Sequence, residues 1–346
     1  MGDDEARRLR VDPAELRCIA CADPPSGRLS HEGDALRCTS CGAEHPVRRK
    51  VAILLEPSDR ALSVSRAESV GRDPPPIELG ELDARALGVV DWLRLTGRAA
   101  REGARCLRRE LGRPRSRKDQ PAVKRKYEAE KYNYYRMNER EIPLLLGGSI
   151  QLASGWRYKR ELARTLHEVG RELHARRILE VGFGDGTNFW ALDRFFPGHG
   201  FELLGFDYSF YRTSIAAHHV AARHQLWNGD AKRVALPSGC ADLAVTVHCL
   251  EHMRYDNAAA LRELARLAEH VLLLEPFVEH QSALGRWHNA ASDYARDLRD
   301  NALAAGLEIV EFRPLRLGSP FNQTGLLLGR TRGRAGPARR SAGPSG

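Results

Sequence analysis

The sequence has no run of eighteen consecutive apolar residues, and its first residues are charged rather than apolar. The first absence argues against a transmembrane helix, and the second argues against an ordinary secretory signal. We therefore expect a cytoplasmic protein. Aromatic residues are sparse at 7%, but hydrophobic residues make up 42% of the 346, which is enough for a normal core and for more than one domain.

Cysteine is also scarce, and its number, seven, is odd. An odd count fits a reducing compartment better than a disulfide framework. Four of the cysteines form two Cys-x-x-Cys pairs separated by sixteen residues: Cys18, Cys21, Cys38 and Cys41. Two such turns supply four thiolates to a tetrahedral Zn²⁺ with no open position. We predict a structural zinc in a ribbon at 12–58, because the βαβ context of a redox dithiol is absent.

The net charge of +9 comes from one segment. Between Arg94 and Lys126 there are thirteen Lys/Arg and three Asp/Glu. This balance permits nucleic acid, anionic lipid or phosphorylated partners and requires none of them. We interpret 77–126 as a basic amphipathic helix, over 82–111, followed by a linker.

Two sets of residues recur in this helix at a period near 3.6. We expect the apolar set to dock on the protein and the arginines to point outward. The apolar set is Leu93, Ala100, Ala104, Leu107 and Leu111, and the arginine set is Arg94, Arg98, Arg101, Arg105 and Arg108.

From about residue 127, short apolar runs alternate with helical patterns. This alternation predicts a doubly wound, Rossmann-like α/β domain at 127–332, with helices on both faces of a parallel sheet. A Gly-, Pro-, Ser- and Arg-rich tail at 333–346 is expected to be disordered. The predicted strands are 178–181, 202–206, 225–227, 243–247 and 271–274, with two paired strand-like runs at 307–312 and 325–329.

Three glycines at every second position follow the first of these strands, in Ile178-Leu-Glu-Val-Gly-Phe-Gly-Asp-Gly-Thr-Asn188. Glycine lets the backbone turn tightly and approach a ligand closely. A dinucleotide-binding Gly-x-Gly-x-x-Gly would need glycine at Thr187, so the spacing argues against that class. A glycine-rich turn in some other nucleotide-binding domain remains the alternative.

The loop resembles motif I of class I S-adenosylmethionine (SAM)-dependent methyltransferases, and the resemblance extends over about 127–330. It is supported by Phe206-Asp207, Asn228-Gly-Asp230-Ala231, Leu250-Glu-His252 and the final strand pair. The resemblance implies a mostly parallel sheet with one antiparallel strand. It implies that Asp207 takes the ribose hydroxyls and Asp230 the adenine amino group. The implied SAM-binding residues are Glu180, Gly182, Gly184, Gly186, Asp207, Asp230, Ala231 and His248.

The segment 36–55 resembles the zinc-ribbon activator subunit of tRNA, rRNA and protein methyltransferases, which bacterial methyltransferases often carry fused at the front. His45 stands where the activator family usually has an aromatic residue, between the second cysteine pair and the final strand. This departure weakens the family match but not the zinc prediction, since His45 is not needed as a ligand.

Methyl transfer from a sulfonium requires alignment above all, and a base only when the acceptor is protonated. His248 is the candidate base, since histidine titrates near neutral pH, and it also lines the cofactor. Glu251-His252 is equally explained as the start of a helix. The tyrosine-rich segment resembles the family's lid, and Tyr127 belongs to it. The candidate substrate contacts, each of which would serve equally in packing, are Tyr132, Tyr135, His252, His280, Trp287 and His288.

Three functions are compatible with these motifs. We expect methylation of a small molecule, because no Asn/Asp-Pro-Pro-Tyr/Phe follows the fourth strand and the Leu-Glu-His form is typical of small-molecule enzymes of the family. The alternative is an RNA methyltransferase that grips phosphates through the ribbon and the arginine face. A non-catalytic SAM- or RNA-binding module is a third class, against which the intact glycine loop argues.

Overall fold

The computed structural model describes residues 9–21, 25–69, 77, 79, 82–111, 128 and 134–332, with the backbone alone for 109–111. The linker predicted at 112–126, Tyr127 and Tyr132, and the tail at 333–346 lie outside the described residues. Within the described part, no helix is long and apolar enough to cross a membrane.

The N-terminal segment folds as a small antiparallel sheet that carries both cysteine pairs. A short 3-10 turn precedes the sheet, and a helix, α1 (Pro57–Ser69), follows it. The strands are β1 (Arg17–Cys18), β2 (Gly27–Glu32), β3 (Ala35–Cys38), β4 (Glu44–Arg48) and β5 (Val51–Leu54).

The middle of the chain contributes a long helix and a hairpin. The hairpin turns at two glycines, Gly147 and Gly148, which both have positive φ and so suit a tight turn between twisted strands. The elements are β6 (Ala84–Ala86), α2 (Val89–Leu111), α3 (Tyr134–Asn138), β7 (Glu141–Leu146) and β8 (Ser149–Ser154).

The C-terminal half alternates strands and helices as expected. Its elements are α4 (Gly155–Glu172), β9 (Arg177–Val181), α5 (Thr187–Phe195), β10 (Glu202–Asp207), α6 (Phe210–His219), β11 (Gln225–Gly229), β12 (Ala241–Val247), α7 (Asn257–Leu267), β13 (Ala268–Glu275), α8 (Ala283–Ser292), α9 (Leu298–Ala304), β14 (Leu307–Ser319) and β15 (Asn322–Thr331).

The central sheet has the strand order β11-β10-β9-β12-β13-β15-β14. The first five strands are parallel, and β15 runs antiparallel to both of its neighbours. The α/β fold class and its single antiparallel strand are thus confirmed for this part of the sheet. The order reverses between β9 and β12, and ligands of such sheets bind at the carboxyl ends of the strands near that reversal.

The sheet is wider than the sequence predicted. The hairpin β7–β8 extends it beyond β14, and β6 adds an antiparallel strand to β8. At the opposite edge, β5 pairs in parallel with β11. The ribbon at 12–58 is therefore part of the same sheet as the α/β domain.

Side-chain packing joins the ribbon to the domain as well. Leu16 and Leu36 of the ribbon belong to the same buried cluster as Trp227 and Leu236. The guanidinium of Arg10 donates hydrogen bonds to carbonyl oxygens at the end of α6 and after it. Two small units that share a core in this way are expected to unfold together.

Helix α2 corrects the sequence expectation in two respects. It begins at Val89, because residues 84–86 form a strand. Its buried face is not the expected apolar set but Leu95, Glu102 and Cys106, and Gly103 packs against the ring of Trp287 in α8. The apolar set from Leu93 to Leu107 is exposed. The arginines point outward as expected.

One described residue of the segment between α2 and α3 ties two helices together. The buried carboxylate of Glu128 accepts hydrogen bonds from the hydroxyl of Ser63 in α1 and from the backbone N–H groups of Phe210 and Tyr211. A carboxylate at this place satisfies amides that the first turn of α6 leaves unpaired.

A second polar cluster lies below the sheet, away from the carboxyl ends of the strands. Asp193 accepts hydrogen bonds from Nε2 of His199 at 3.0 Å and of His224 at 2.8 Å, and Arg223 also contacts it. His199 Nδ1 accepts from the Phe201 N–H, so its Nε2 carries the proton. Burial raises the pKa of Asp193, but the two histidines and Arg223 outweigh burial and hold that pKa well below its usual range.

We expect Asp193→Asn to reduce the free energy of unfolding by about 1–3 kcal/mol at neutral pH, because a buried imidazole loses its charged acceptor. The folded pKa of Asp193 lies below the unfolded value of about 3.9. Its contribution is therefore complete above about pH 4 and is lost as the pH falls further. Urea unfolding should show that the difference in free energy of unfolding between the wild type and Asp193→Asn becomes smaller in acid. Asp34→Asn, at an exposed position, is the control. A difference in unfolding free energy that does not change with pH would contradict the role of ionised Asp193.

Candidate functional site

The glycine loop after β9 lies at the carboxyl edge of the sheet. Gly182 has φ +70°, and a Cβ there would lie 2.1 Å from the Sγ of Cys249. At Gly186, which has φ +76°, a Cβ would collide with Val220 of the helix packed behind the loop. Close backbone approach at the first glycine and close packing at the third explain why this turn needs glycine.

Asp207 at the end of β10 holds the loop in place. Its Oδ2 accepts the Gly184 N–H at 2.9 Å, and its Oδ1 accepts the Ser209 N–H at 2.8 Å. A carboxylate oxygen can accept more than one hydrogen bond. The Asp207 carboxylate also lines a cavity, so it is placed to accept two hydroxyl groups of a ligand.

Glu180 lies beneath the loop rather than in the cavity. It is fully buried, and its Oε1 accepts a hydrogen bond of 2.5 Å from the amide of Asn188. The Oδ1 of Asn188 in turn accepts from Lys159 at 2.8 Å. Burial raises the pKa of Glu180 to about 7. Glu180, Gly184 and Gly186, which were expected to bind the cofactor, are not among the cavity-lining residues.

The turn after β12 is organised by a buried carboxylate. Glu275 accepts the backbone N–H groups of Cys249 at 2.9 Å, Leu250 at 3.1 Å and Glu251 at 3.3 Å. Burial raises the pKa of Glu275 to about 7, and the nearby charge of Glu251 acts in the same direction. The turn begins at His248, which has the left-handed φ of +51°. A non-glycine residue in this conformation persists only where its surroundings fix it.

Glu251 in this turn connects two histidines. Its Oε2 lies 3.2 Å from Nδ1 of His248, and its Oε1 lies 3.3 Å from Nε2 of His252. Burial raises the pKa of Glu251, but the charge and hydrogen bond of His248 and the charge of His252 outweigh it and lower that pKa to about 2. Glu251 is therefore an ionised carboxylate that orients both rings, and not merely the start of a helix.

The two ring nitrogens of His248 are both engaged. Nε2 lies 2.8 Å from the hydroxyl of Thr324, which also contacts the hydroxyl of Tyr158. Burial lowers the pKa of His248, but Glu251 more than compensates and raises it. The ring of His252 is a third exposed and stands edge-on to Tyr294 at 5.0 Å.

A cavity of about 580 Å³ runs along this edge of the sheet. One end is formed by the residues after β9, β10 and β11, and the other by the turn after β12 and the end of α8. Its lining residues are Gly182, Phe206, Asp207, Tyr208, Arg212, Gly229, Asp230, Ala231, His248, Cys249, His252, Met253, Arg254, Tyr255, Asp256, Ala291, Ser292, Asp293 and Tyr294.

Asp230 and Ala231 reach this cavity from the end of β11. Burial raises the pKa of the Asp230 carboxyl, and the positive charge of Lys232 opposes that effect. The backbone N–H of Lys232 donates to Asp230 Oδ1 at 2.9 Å. The geometry therefore brings together Gly182, Asp207 and Asp230, which come from three separate strand ends.

Of the candidate substrate contacts among the described residues, His252 lines the cavity, and so does Tyr294, a further candidate in the segment after β13. Tyr135 is buried between Trp156, Trp190 and His219. Three others also have other neighbours: His280 packs on Phe312, Trp287 on Gly103 of α2, and His288 lies 3.3 Å from Glu102. His280 and His288 are thus engaged with neighbouring side chains, whereas Trp287 is about half exposed.

Sequence reasoning missed two residues that close the glycine loop. The N–H of Tyr134 donates to Asp185 in the loop at 2.8 Å. The Tyr134 ring lies beneath the guanidinium of Arg212, 5.0 Å from its centroid. Arg212 lines the cavity and comes from α6, the helix that follows Asp207. Its position in the first turn of α6 is the signal that could have identified it.

The four cysteines of the ribbon converge as predicted. Their Sγ atoms all lie within 4.8 Å of one another, with 3.7 Å between Cys18 and Cys41 and 3.4 Å between Cys21 and Cys38. Tetrahedral zinc with bonds of about 2.3 Å places sulfurs about 3.8 Å apart. The cluster fits a zinc ribbon, and backbone N–H groups of Ala20 and Cys41 point at the sulfurs.

His45 lies beside this cluster without being one of its four members. It is fully buried, and its Nε2 is 3.4 Å from the Cys18 Sγ. Arg60 approaches Nδ1 at 3.4 Å and can only donate, so the proton of His45 is on Nε2 and faces the sulfur. The His45 ring is thus placed to donate a hydrogen bond to the Cys18 sulfur.

Residues 155–311 match the model of a family described as a methyltransferase domain. This segment, just under half of the chain, is a methyltransferase domain. No curated protein matches the chain.

Several solved structures resemble the chain at low identity. A chain from the complex between the Haloferax volcanii Trm112 methyltransferase activator and a methyltransferase is 16% identical, covers 52% of this chain and 94% of that one, and has a TM-score of 0.39. Magnesium protoporphyrin IX methyltransferase from Synechocystis PCC 6803 is 12% identical. The match covers 69% of this chain and 99% of that one, with a TM-score of 0.41. An O-methyltransferase from neocarzinostatin biosynthesis is 18% identical. The match covers 51% of this chain and 57% of that one, with a TM-score of 0.37. Similarity at this level does not distinguish one methyl acceptor from another.

We expect Asp207→Ala to weaken SAM binding by roughly 1.5–3 kcal/mol, because it removes a charged hydrogen-bond acceptor and loosens the glycine loop. Isothermal calorimetry with SAM and S-adenosylhomocysteine measures the change. Glu308→Ala, at an exposed position on β14, is the matched control and should bind normally. If a folded Asp207→Ala protein bound SAM as tightly as the wild type, the Asp207 carboxylate would not be part of the binding site.

Proposed function

We propose that the methyltransferase domain transfers the methyl group of SAM to a small-molecule acceptor held at the His252 end of the cavity. The observation that carries this proposal is the continuity of the cavity from Asp207 and Asp230 to His252 and Tyr294. In this assignment Gly182, Asp207, Asp230, Ala231 and His248 contact the cofactor. Glu180, Gly184 and Gly186 shape the loop that receives it.

The cavity volume is compatible with a small acceptor. About 580 Å³ lies within the range of small-molecule and cofactor sites. The far end is lined by an aromatic ring, a thioether and an ion pair, from Tyr294, Met253 and the contacting Arg254 and Asp293. Such walls suit a partly apolar molecule with a polar group.

His252 is the better-placed base for a protonated acceptor. Its ring lines the cavity, and Glu251 holds its Nε2. His248 has both nitrogens occupied by Glu251 and Thr324, so it would have to break a hydrogen bond before accepting a proton. We therefore assign His248 a positioning role and His252 the role of general base.

Bound SAM supplies an electrophilic methyl group on a positively charged sulfur. Held by Gly182, Asp207, Asp230 and Ala231, it would give up this methyl group to an acceptor hydroxyl oxygen, and the electron pair of the broken C–S bond would stay on the sulfur. The acceptor proton passes to the His252 ring, and the ionised Glu251 stabilises the resulting imidazolium. Wall residues of the cavity align the acceptor and exclude water.

We expect labelled SAM, incubated with purified protein and a cell extract, to label the metabolite fraction rather than RNA or protein. His252→Ala should lower kcat/KM by about 10²–10⁴-fold, the usual contribution of a general base. The loss should be smaller at high pH, where the acceptor ionises unaided. Exposed His31→Ala is the control. Label confined to RNA would refute the small-molecule acceptor, and a fully active His252→Ala protein would refute the base.

We also propose one structural zinc per chain, bound by Cys18, Cys21, Cys38 and Cys41. Gly27 supports this assignment, because a Cβ there would lie 2.5 Å from the Cys38 Sγ and 2.6 Å from the Cys21 Sγ. The backbone of β2 therefore leaves only the space that four thiolates and an ion require. Metal binding contributes much of the folding free energy of so small a ribbon.

Gly27→Ala and Cys38→Ser should both lose zinc, the first by displacing two thiolates and the second by removing one. Elemental analysis should give one zinc per chain for the wild type. Cys240→Ser, which changes a cysteine outside the cluster, should retain it. A wild-type protein that is folded and zinc-free would contradict the assignment.

A further inference from the structure

Helix α2 has three faces, and the described residues of the chain pack against only one of them. Its inner face, including Leu95 and Glu102, lies against α8. A second face carries an apolar stripe that is left in solvent, with Val89 78%, Leu93 67% and Leu107 61% exposed. Ala100 and Ala104 complete the stripe and are also exposed. Exposed large apolar residues in such a row signal an interaction surface.

The third face is cationic and adjoins the stripe along the whole helix. Within the described part of the chain, Arg94, Arg101 and Arg108 are exposed and make no ion pair. Arg98 and Arg105 share this face, with Arg98 over the ring of Phe321 and Arg105 paired with Glu102. The sequence continues with eight further Lys/Arg and two Asp/Glu between residues 109 and 126.

The apolar stripe also extends beyond α2. Trp287 of α8 packs against Gly103, and about half of its ring remains exposed. Trp92 in the first turn of α2 is exposed to a similar extent. Tryptophan is the side chain most enriched at the boundary between lipid headgroups and acyl chains, because its ring is both apolar and a hydrogen-bond donor.

We propose that the outer surface of α2, formed by its apolar stripe and its arginine face, binds an anionic lipid surface. Charge complementarity supports this occupant, since the exposed arginines match phosphate headgroups. The stripe from Val89 to Leu107 enters the acyl boundary, which removes it from water. An RNA would neutralise the arginines but leave the stripe exposed, so it explains only half of the surface.

The geometry of the helix fits this role. Twenty-three residues give α2 a length of about 34 Å. Because its inner face stays packed on α8, the helix can lie along a membrane without leaving the domain. α8 also connects α2 to the cavity, since His288 contacts Glu102 and Ala291, one turn later, lines the cavity wall. Lipid binding would thus place the cavity next to the bilayer.

The test is flotation of the purified full-length protein with phosphatidylcholine vesicles, with or without phosphatidylglycerol. We expect binding only to the anionic vesicles, with affinity that falls as salt is raised. A variant carrying Arg94→Gln, Arg101→Gln and Arg108→Gln should lose at least tenfold in affinity, since each charge near the surface contributes about fivefold. The matched control replaces three exposed arginines elsewhere, Arg28, Arg171 and Arg332.

A second variant, Leu93→Gln with Leu107→Gln, separates the occupants. Lipid binding requires both faces, so this variant should also lose at least tenfold while its melting temperature stays that of the wild type. RNA retention that depends on the arginines but not on these leucines, without vesicle binding, would assign the surface to RNA and overturn the proposal. Self-association abolished by the leucine variant, again without vesicle binding, would assign it to a second copy of the chain.

Discussion

Backbone N–H groups that leave the end of a buried strand need acceptors, and no water is available to supply them. In this protein two buried carboxylates meet that need at the carboxyl edge of the sheet. Asp207 takes the amides of Gly184 and Ser209, and Glu275 takes those of Cys249, Leu250 and Glu251. These two carboxylates fix the loops after β9 and β12, and the cavity lies between those loops.

The alternating strands and helices of the α/β domain could be predicted because their periodicity is local and strong. The glycine loop, Asp207 and Asp230 were found for the same reason: their spacing from strand ends is a short-range property. The β7–β8 hairpin was missed although Gly147-Gly148 between two apolar runs is a hairpin signal. Its pairing with β14 joins residues far apart in sequence, which no local pattern reveals.

The docking of α2 shows why amphipathic patterns do not determine which face is buried. Its leucine and alanine stripe is the more regular set, yet the buried set contains a glutamate and a cysteine. Glu102 is buried because His288 and Arg105 satisfy its charge, and Gly103 lies against the ring of Trp287. The partner surface decides the outcome, and that surface is built from residues nearly two hundred positions later in the chain.

The pairing of β5 with β11 has a consequence for the behaviour of the protein in solution. Without β5, the third strand of the α/β sheet would present a row of unpaired N–H and C=O groups, which is a template for association with other chains. The ribbon therefore covers this edge of the sheet. Since β5 pairs with β4, the strand that follows the second cysteine pair, the folding of the ribbon and the resistance of the sheet to association are linked through this one strand pair.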